Sequence, residues 1–358
     1  MNSLPRIYRE ARRPPTNDPR EADRPVKEVG EGKDGVSAFV ARVLDQLSLT
    51  AWLPAALLVS ALAVLFQFLR DDSMDLPRAI GELAQDPFRL LVVLIPLVVI
   101  AAMVTQAFSF SAIRMLEGYW PERGPIGLLR GAMTRRQFGR LESLERRRKK
   151  AKEKAFNETR PLMLQRGIAP AIVVALESKL YGNGAGQLTA SEQAELEDMN
   201  WEDMCPPWRR SPIDQLEQEL SHYPETSRIM PTSLGNRLRA VEETLENAGD
   251  DLEGFVMRTR STAPPRLQLQ HDQFRDRLDM YCTLVFVAAV IAVAAPLILA
   301  PTHFGWLAIG AVFVGFLTLA VSSYYGAIVS ADGYGTALRQ MDRTETLRLQ
   351  NASSPRRF

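Results

Sequence analysis

Acid–base or metal chemistry in this chain would have to come from very few side chains. The sequence contains only three histidines and two cysteines. They are His222, His271, His303, Cys205 and Cys282. Only His271 has a neighbouring acid, Asp272, and adjacent residues on a helix do not face each other. With no spaced set of metal ligands and no nucleophile motif, the sequence predicts no enzymatic activity, no metal and no cofactor.

The sharpest local pattern is the segment from Pro231 to Glu242, which we call the 231–242 box. Thr232 or Ser233 can cap a helix there, and Gly235 falls in its first turn. A glycine at that position costs up to about 1 kcal/mol relative to alanine. It therefore indicates either a packing glycine or a close backbone approach by another helix or by the membrane surface. The predicted apolar face consists of Leu234, Leu238, Val241 and Leu245.

This box resembles a pattern in uncharacterised bacterial membrane proteins, Pro-Thr-x-Leu-Gly-Asn-x-Leu-Arg-Ala-x-Glu before a pair of spans. The matching residues are Pro231, Thr232, Leu234, Gly235, Asn236, Leu238, Arg239, Ala240 and Glu242. A second similarity is the helix-like segment at 324–335, and together the likeness covers about residues 85–348. The segment at 249–255 departs from the pattern, because it lacks the aromatic residues expected there. The resemblance implies four spans and an intracellular helical domain, and it implies no activity.

Four apolar runs are the main elements that must position this box. They lie at 51–69, 90–110, 280–300 and 304–325. A helix of about 20 residues spans roughly 30 Å, the thickness of the hydrocarbon core of a bilayer. None of the runs contains Asp, Glu, Lys, Arg or His. We therefore predict an all-α integral membrane protein. Its four transmembrane helices form two hairpins, 51–110 and 280–325, with a helical cytoplasmic domain at 111–279 inserted between them.

Basic residues indicate the orientation of the spans, because arginine and lysine accumulate on the cytoplasmic side. The segment between the first two runs has more acidic than basic side chains, and residues 301–303 have no arginine or lysine. The segment after the second run is strongly basic. We expect a multi-pass protein of the plasma (inner) membrane with both termini in the cytoplasm.

The predicted cytoplasmic domain has an uneven charge. Residues 111–160 hold 14 basic and 6 acidic side chains, whereas residues 161–254 hold 7 basic and 17 acidic ones. The two halves could attract each other, the basic helix could contact anionic lipid headgroups, or it could simply be solvated. The candidate headgroup contacts are Arg146, Arg147, Arg148, Lys149 and Lys150. Nucleic acid is not an expected partner, because no aromatic residues alternate with these charges.

The remaining elements are read from composition and periodicity. We predict a disordered tail at 1–35, an amphipathic interfacial helix at 36–50, and a cytoplasmic helix and tail at 326–358. Within the domain the pattern predicts a polar helix at 126–160 and a core helix at 169–180. It also predicts a capping box at 189–192, a proline-rich break at 205–212 and a short helix at 214–222. A helix from 267 is expected to run unbroken into the third span, and Asp332 could either cap or pair with Arg275 or Arg277.

Two functions remain open at this stage. The first is a membrane scaffold or signalling component, whose cytoplasmic domain binds an unknown cytoplasmic protein. The alternative is an oligomeric pore or membrane-perturbing effector that the domain gates. A homo-oligomer is compatible with small residues at helix-packing spacing, which would allow close helix approach. These are Ala288 and Ala292 in the third span, and Ala311 and Gly315 in the fourth.

Overall fold

The computed structural model describes residues 49–71, 87–182, 189–249, 251–300 and 305–353, and within them the chain is helical without any strand. The predicted tail at 1–35 and the turn at 301–303 lie outside the described residues. So does the interfacial helix at 36–50, apart from its last two residues, which begin the first described helix.

Ten α-helices occur in the described part of the chain. They are α1 (Leu49–Asp71), α2 (Pro87–Glu117), α3 (Gly124–Gln165), α4 (Pro170–Tyr181), α5 (Ala190–Asp198), α6 (Pro207–Leu220), α7 (Ser233–Glu243), α8 (Leu252–Arg260), α9 (Pro265–Leu299) and α10 (Trp306–Ser353). Two short 3-10 turns, at Trp201–Met204 and Thr226–Arg228, precede α6 and α7.

Four of these helices, α1, α2, α9 and α10, are long and apolar enough to cross a membrane. The predicted all-helical class with four candidate spans is therefore confirmed. Helix α9 begins well before its apolar part, which confirms that the helix from 267 runs unbroken into the third apolar segment. Helix α10 likewise continues far beyond its apolar part, to Ser353.

The apolar halves of α1, α9 and α10 share one core. Leu65 and Phe68 of α1 pack against Ile291 and Leu299 of α9. Ala288 and Ala292 are buried in this packing, as predicted. Ala311 and Gly315, the corresponding pair on α10, are exposed in the single chain. The physical reason is that α10 turns a different face, that of Ile309, Val312 and Phe316, toward the core.

The polar helices form a second group, in which the basic helix α3 packs against acidic neighbours. Lys152 on α3 forms ion pairs with Glu202 at 2.8 Å and Glu217 at 2.7 Å. Burial opposes the charge of this lysine, but the two carboxylates outweigh burial and raise its pKa above the usual value. Arg209 on α6 makes a two-pronged contact with Glu158 on α3. Ion pairs between the two halves, one of the three alternatives predicted for the uneven charge, are thus present.

Three local predictions in the polar group can now be compared with the structure. The long polar helix is confirmed as α3, and Thr189 and Glu192 form the predicted capping box at the start of α5. The predicted break at 205–212 is wrong beyond Pro206, because α6 already begins at Pro207 and contains Pro212. Proline is tolerated in the first helical turn, where its missing N–H leaves no bond unmade, and this explains the early start.

Candidate functional site at the start of helix α7

The 231–242 box begins at a hydroxyl group that joins two helices. Thr232 is the N-cap of α7, and its Oγ1 accepts a hydrogen bond of 3.0 Å from the Gly235 N–H. The same Oγ1 donates its proton to the Glu117 carbonyl at the end of α2, at 2.9 Å. One side chain therefore satisfies an unpaired donor of one helix and an unpaired acceptor of another. Of the two predicted capping residues, the structure selects Thr232.

Gly235 is where the two backbones come closest. A Cβ atom built on this residue would collide with the carbonyl oxygen of Glu117. Of the predicted alternatives, the close approach by another helix is the one found, and the helix is the candidate span α2. Any larger residue at 235 must therefore push α7 away from the end of α2.

The end of α2 is shaped for this contact. Gly118 ends the helix with a φ of 99°, a left-handed conformation that favours glycine. A Cβ atom at Gly118 would collide with the ring of Pro231, the first residue of the box. Glycines on both partners thus allow the end of α2 and the start of α7 to meet without an intervening side chain.

The apolar residues of the box fill the space between three candidate spans. Leu234 is fully buried and packs with Leu278 and Cys282 of α9 and with Ala327 of α10. Leu238 is partly buried and packs against both this cluster and a second one, which includes Tyr334 and Leu338 of α10. Because α7 also touches α2, the box contacts three of the four candidate spans at once.

Asn236 fixes the chain that leads into the box. Its Oδ1 accepts a 2.7 Å hydrogen bond from the Met230 N–H, and its Nδ2 donates to the Met230 carbonyl at 3.2 Å. The side chain is almost completely buried, so both polar ends are satisfied internally. Such a two-sided bond to one residue holds the 230–232 turn in a single geometry.

The charged residues of the box lie at its edge. The Nη2 of Arg239 donates to the Tyr119 hydroxyl at 3.1 Å, and its guanidinium lies 5.6 Å from the centre of that ring. Glu242 lies 3.8 Å from Arg228. These contacts tie α7 to the turn after α2 and to the 3-10 turn before α7.

The turn that follows α7 is fixed by a carboxylate of α10. Asp342 is buried, and its two oxygens accept hydrogen bonds of 3.1 Å from the Glu246 and Asn247 N–H groups. The Asn247 side chain adds a third bond of 2.9 Å. Charge-assisted bonds of this kind are about twice as strong as neutral ones. Both ends of α7 are thus attached to helices that continue into the apolar half.

The two segments that carry the family resemblance meet in the folded chain. The Tyr324 hydroxyl accepts a 3.3 Å hydrogen bond from the Leu234 N–H. Farther along, a Cβ atom at Gly335 would collide with Val241, so this glycine allows α7 to lie directly on α10. The 324–335 segment therefore forms one wall of the site that the 231–242 box occupies.

The predicted pairing of Asp332 is wrong in its partner. Asp332 forms its ion pair with Arg237 of the box, and His222 lies 3.8 Å away. Arg275 and Arg277 are the nearer basic residues along α9, and the sequence gives no indication that Arg237, 95 residues before Asp332, reaches it instead.

The candidate headgroup contacts behave differently from the box. Arg146, Arg147, Arg148, Lys149 and Lys150 are all exposed on α3. Within the described residues, the one salt bridge of this group joins Arg146 to Glu142 of the same helix, at 3.8 Å. Of these five residues, Arg147 lines a cavity that residues of the box also line.

The residues first considered for acid–base chemistry have other contacts in the described part of the chain. His271 and Asp272 do touch, at 3.1 Å, contrary to the expectation for neighbours on a helix. However, Arg260 also binds Asp272 at 2.7 Å, and the buried His271 ring lies beside that of Tyr334. Cys205 and Cys282 are buried free thiols. No group of three metal-ligating side chains occurs in the described residues.

Three contributors to the site were missed from the sequence: the Glu117 carbonyl, Asp342 and Gln137. Gln137 of α3 is buried and donates to the Ser233 Oγ at 3.3 Å. Glu117 and Gln137 meet the box, and Asp342 meets the turn after α7, each across about 95–115 residues of chain, and none lies in a motif. No protein-family model, curated protein or solved structure matches this chain. The function is therefore argued from these contacts.

Proposed function

We propose that this protein is a non-enzymatic scaffold or signalling component of the plasma (inner) membrane. In this proposal residues 51–110 and 280–325 form two transmembrane hairpins, and the helical domain at 111–279 lies between them in the cytoplasm with both termini. The domain binds a cytoplasmic protein, and the spans anchor and orient it. The excess of arginine and lysine after the second span supports this orientation.

One observation carries the proposal: the box contacts α2, α9 and α10 together. A partner that displaces the polar helices would move α7, and α7 is attached at both ends. Because Gly235 leaves no gap against Glu117, such a movement must be transmitted to α2 rather than absorbed. A passive anchor would not need this junction.

Hydroxyl groups in the candidate spans also favour an anchoring role over a pore. Thr105, Thr283 and Thr318 each donate to a backbone carbonyl three or four residues earlier, at 2.7–3.1 Å. Hydroxyls bonded in this way are satisfied within their own helix.

One observation favours the alternative, an oligomeric pore or membrane-perturbing effector. Ala311, Gly315, Thr318 and Ser322 follow a helical spacing of three and four residues, and all are exposed on α10. Small residues on one face allow close helix approach in membranes, so this face could join copies of the chain. A pore built from such copies would need several subunits, because four apolar spans alone enclose no polar channel.

The native mass of the full chain in nanodiscs tests the two functions against each other. A monomer or dimer is the expected result. A closed assembly of four or more copies, dispersed by Gly315→Leu and kept by the control Leu317→Phe, would favour the pore. Leu317 is exposed but lies off the small-residue face. Ion flux in liposomes containing that assembly would then decide for the pore.

Crosslinking in membranes tests the partner itself. A scaffold should be recovered with a cytoplasmic protein, and this protein should be lost when the junction is broken by Gly235→Ala. Recovery of the chain alone, from membranes in which it is abundant, would contradict the scaffold.

A further inference from the structure

A basic cavity lies beside the box and has no role in the scaffold proposal. Its volume is about 500 Å³, and it opens between α3, the end of α6 and the start of α7. Its charged and donor side chains are those of Arg140, Arg147, Glu219, His222, Ser233 and Arg237. Three elements of the polar half therefore meet around one space.

Two of these arginines have no opposing carboxylate. Arg237 is neutralised by Asp332, whereas Arg140 and Arg147 make no ion pair with any described residue. They are seven residues apart on α3 and so lie on one face, about 10 Å from each other along the helix. Glu219 is the one described carboxylate that lines the cavity. The cavity therefore keeps an excess of positive charge.

Gln137 orients the Ser233 hydroxyl, which lies in the wall of the same cavity. Its Nε2 donates to the Ser233 Oγ at 3.3 Å, and its Oε1 accepts from the Tyr223 hydroxyl at 3.3 Å. Since the Ser233 oxygen already accepts a bond, its own proton is directed away from Gln137. Burial raises the pKa of Tyr223, while the charges of Arg140 and Arg237 act against that rise. Those arginines are thus close enough to act on the cavity wall.

We propose that this cavity binds a phosphate-bearing anion, held by Arg140 and Arg147 and by the Ser233 hydroxyl. Guanidinium groups bind phosphate oxygens in pairs and keep their charge at any physiological pH. An anion seated there would bridge α3 to the start of α7, next to the Thr232 cap. The phosphate could belong to a lipid headgroup or to a soluble compound, and the chemistry of recognition is the same.

The test uses the full chain in nanodiscs and follows its melting temperature, because a ligand of the folded state raises this temperature. One arm adds inorganic pyrophosphate to nanodiscs of phosphatidylcholine. The other arm replaces part of the phosphatidylcholine by phosphatidylglycerol. The cavity variant is Arg140→Gln with Arg147→Gln. The matched control is Arg135→Gln with Arg166→Gln, which removes the same charge from exposed residues of α3 and its C-cap that belong neither to the cavity nor to the predicted headgroup contacts.

The proposal is supported if the melting temperature rises in the wild type and in the control, and if the apparent affinity is at least tenfold weaker in the cavity variant. A response to pyrophosphate identifies a soluble phosphate compound, and a response to phosphatidylglycerol alone identifies a headgroup. Equal responses of both double variants, or no response in either arm, would overturn it. If the cavity variant does not fold, Ser233→Ala gives the same comparison with a smaller expected loss.

Discussion

The 231–242 box and the basic cluster at 146–150 both stand out in the sequence, yet they differ in burial and in their contacts in the folded chain. In the box, Leu234, Gly235 and Asn236 are buried, and the start of α7 is fixed by hydrogen bonds to α2 and α10. In the cluster all five side chains are exposed, and the one salt bridge found in the described residues stays within α3.

The difference lies in what each region requires of its residues. Around the box, a glycine, a threonine and an asparagine each meet one particular backbone group, so shape and hydrogen-bond geometry decide what fits. Around the cluster only charge is needed, and its exposed salt bridge contributes little to stability. The four predictions below test this contrast on the stability of the folded chain in detergent or nanodiscs.

The largest effect is expected from Gly235→Ala. The added methyl group meets the Glu117 carbonyl, a backbone atom that cannot rotate away. Overpacking of this kind costs about 1–3 kcal/mol or more, and we expect a loss near the upper end. The melting temperature should fall by roughly 6 °C or more, at about 2–4 °C for each kcal/mol.

Gly139→Ala is the matched control for this change. A Cβ atom there meets nothing within 4 Å, and alanine is the better helix former by about 1 kcal/mol. Its melting temperature should stay constant or rise. An equal loss in both variants would mean that the close approach of α2 and α7 does not limit stability.

The close approach of α2 and α7 also shows which features of the fold could be predicted from the sequence. The four apolar runs, the long polar helix and the cap at Thr232 follow from hydropathy, periodicity and capping chemistry, which act over short distances. Gly235 signalled a close approach, but only the fold identifies Glu117 as its partner. The Arg237–Asp332 pair and the Asp342 bonds join segments about 95 residues apart, and no local pattern encodes such a distance. Likewise Arg147, one of five similar charges, lines a cavity only because α3 has a definite rotation.

The second prediction removes the shared hydroxyl by Thr232→Val, which keeps the shape of the side chain. The Gly235 N–H loses its acceptor and the Glu117 carbonyl loses a donor, and loss of an N-cap alone costs about 0.5–2 kcal/mol. A fall in melting temperature of roughly 2–6 °C is expected. Thr232→Ser should restore most of it, because it keeps the hydroxyl. If serine and valine were equally unstable, the methyl group rather than the hydrogen bonds would be what the site needs.

The third prediction concerns acidification. Burial lowers the pKa of His222, Arg237 and Arg339 lower it further, and Asp332 and Glu219 partly oppose them. The unfolded chain therefore binds a proton at this residue near pH 6.5, before the folded chain does. The stability that the neutral ring contributes is present above that pH and is lost as the pH falls below it.

Between pH 7.5 and 5.5 the wild type should lose about 1–2 °C more than His222→Gln in a thermal melt. The variant has no imidazole to protonate, and it retains a polar side chain near Asp332. Parallel pH curves for the two proteins would show that protonation of His222 is not linked to folding.

The smallest effect on stability should come from the cluster, through Arg148→Gln, Lys149→Gln and Lys150→Gln together. These side chains are exposed and make no ion pair with a described residue, so the melting temperature in neutral lipid should change by less than about 1 °C. If the cluster touches headgroups, each basic residue contributes about 1 kcal/mol at an anionic surface. The difference in melting temperature between anionic and neutral nanodiscs should then shrink in the triple variant. A large loss already in neutral lipid would contradict the contrast with the box, because it would mean that these charges hold the fold itself.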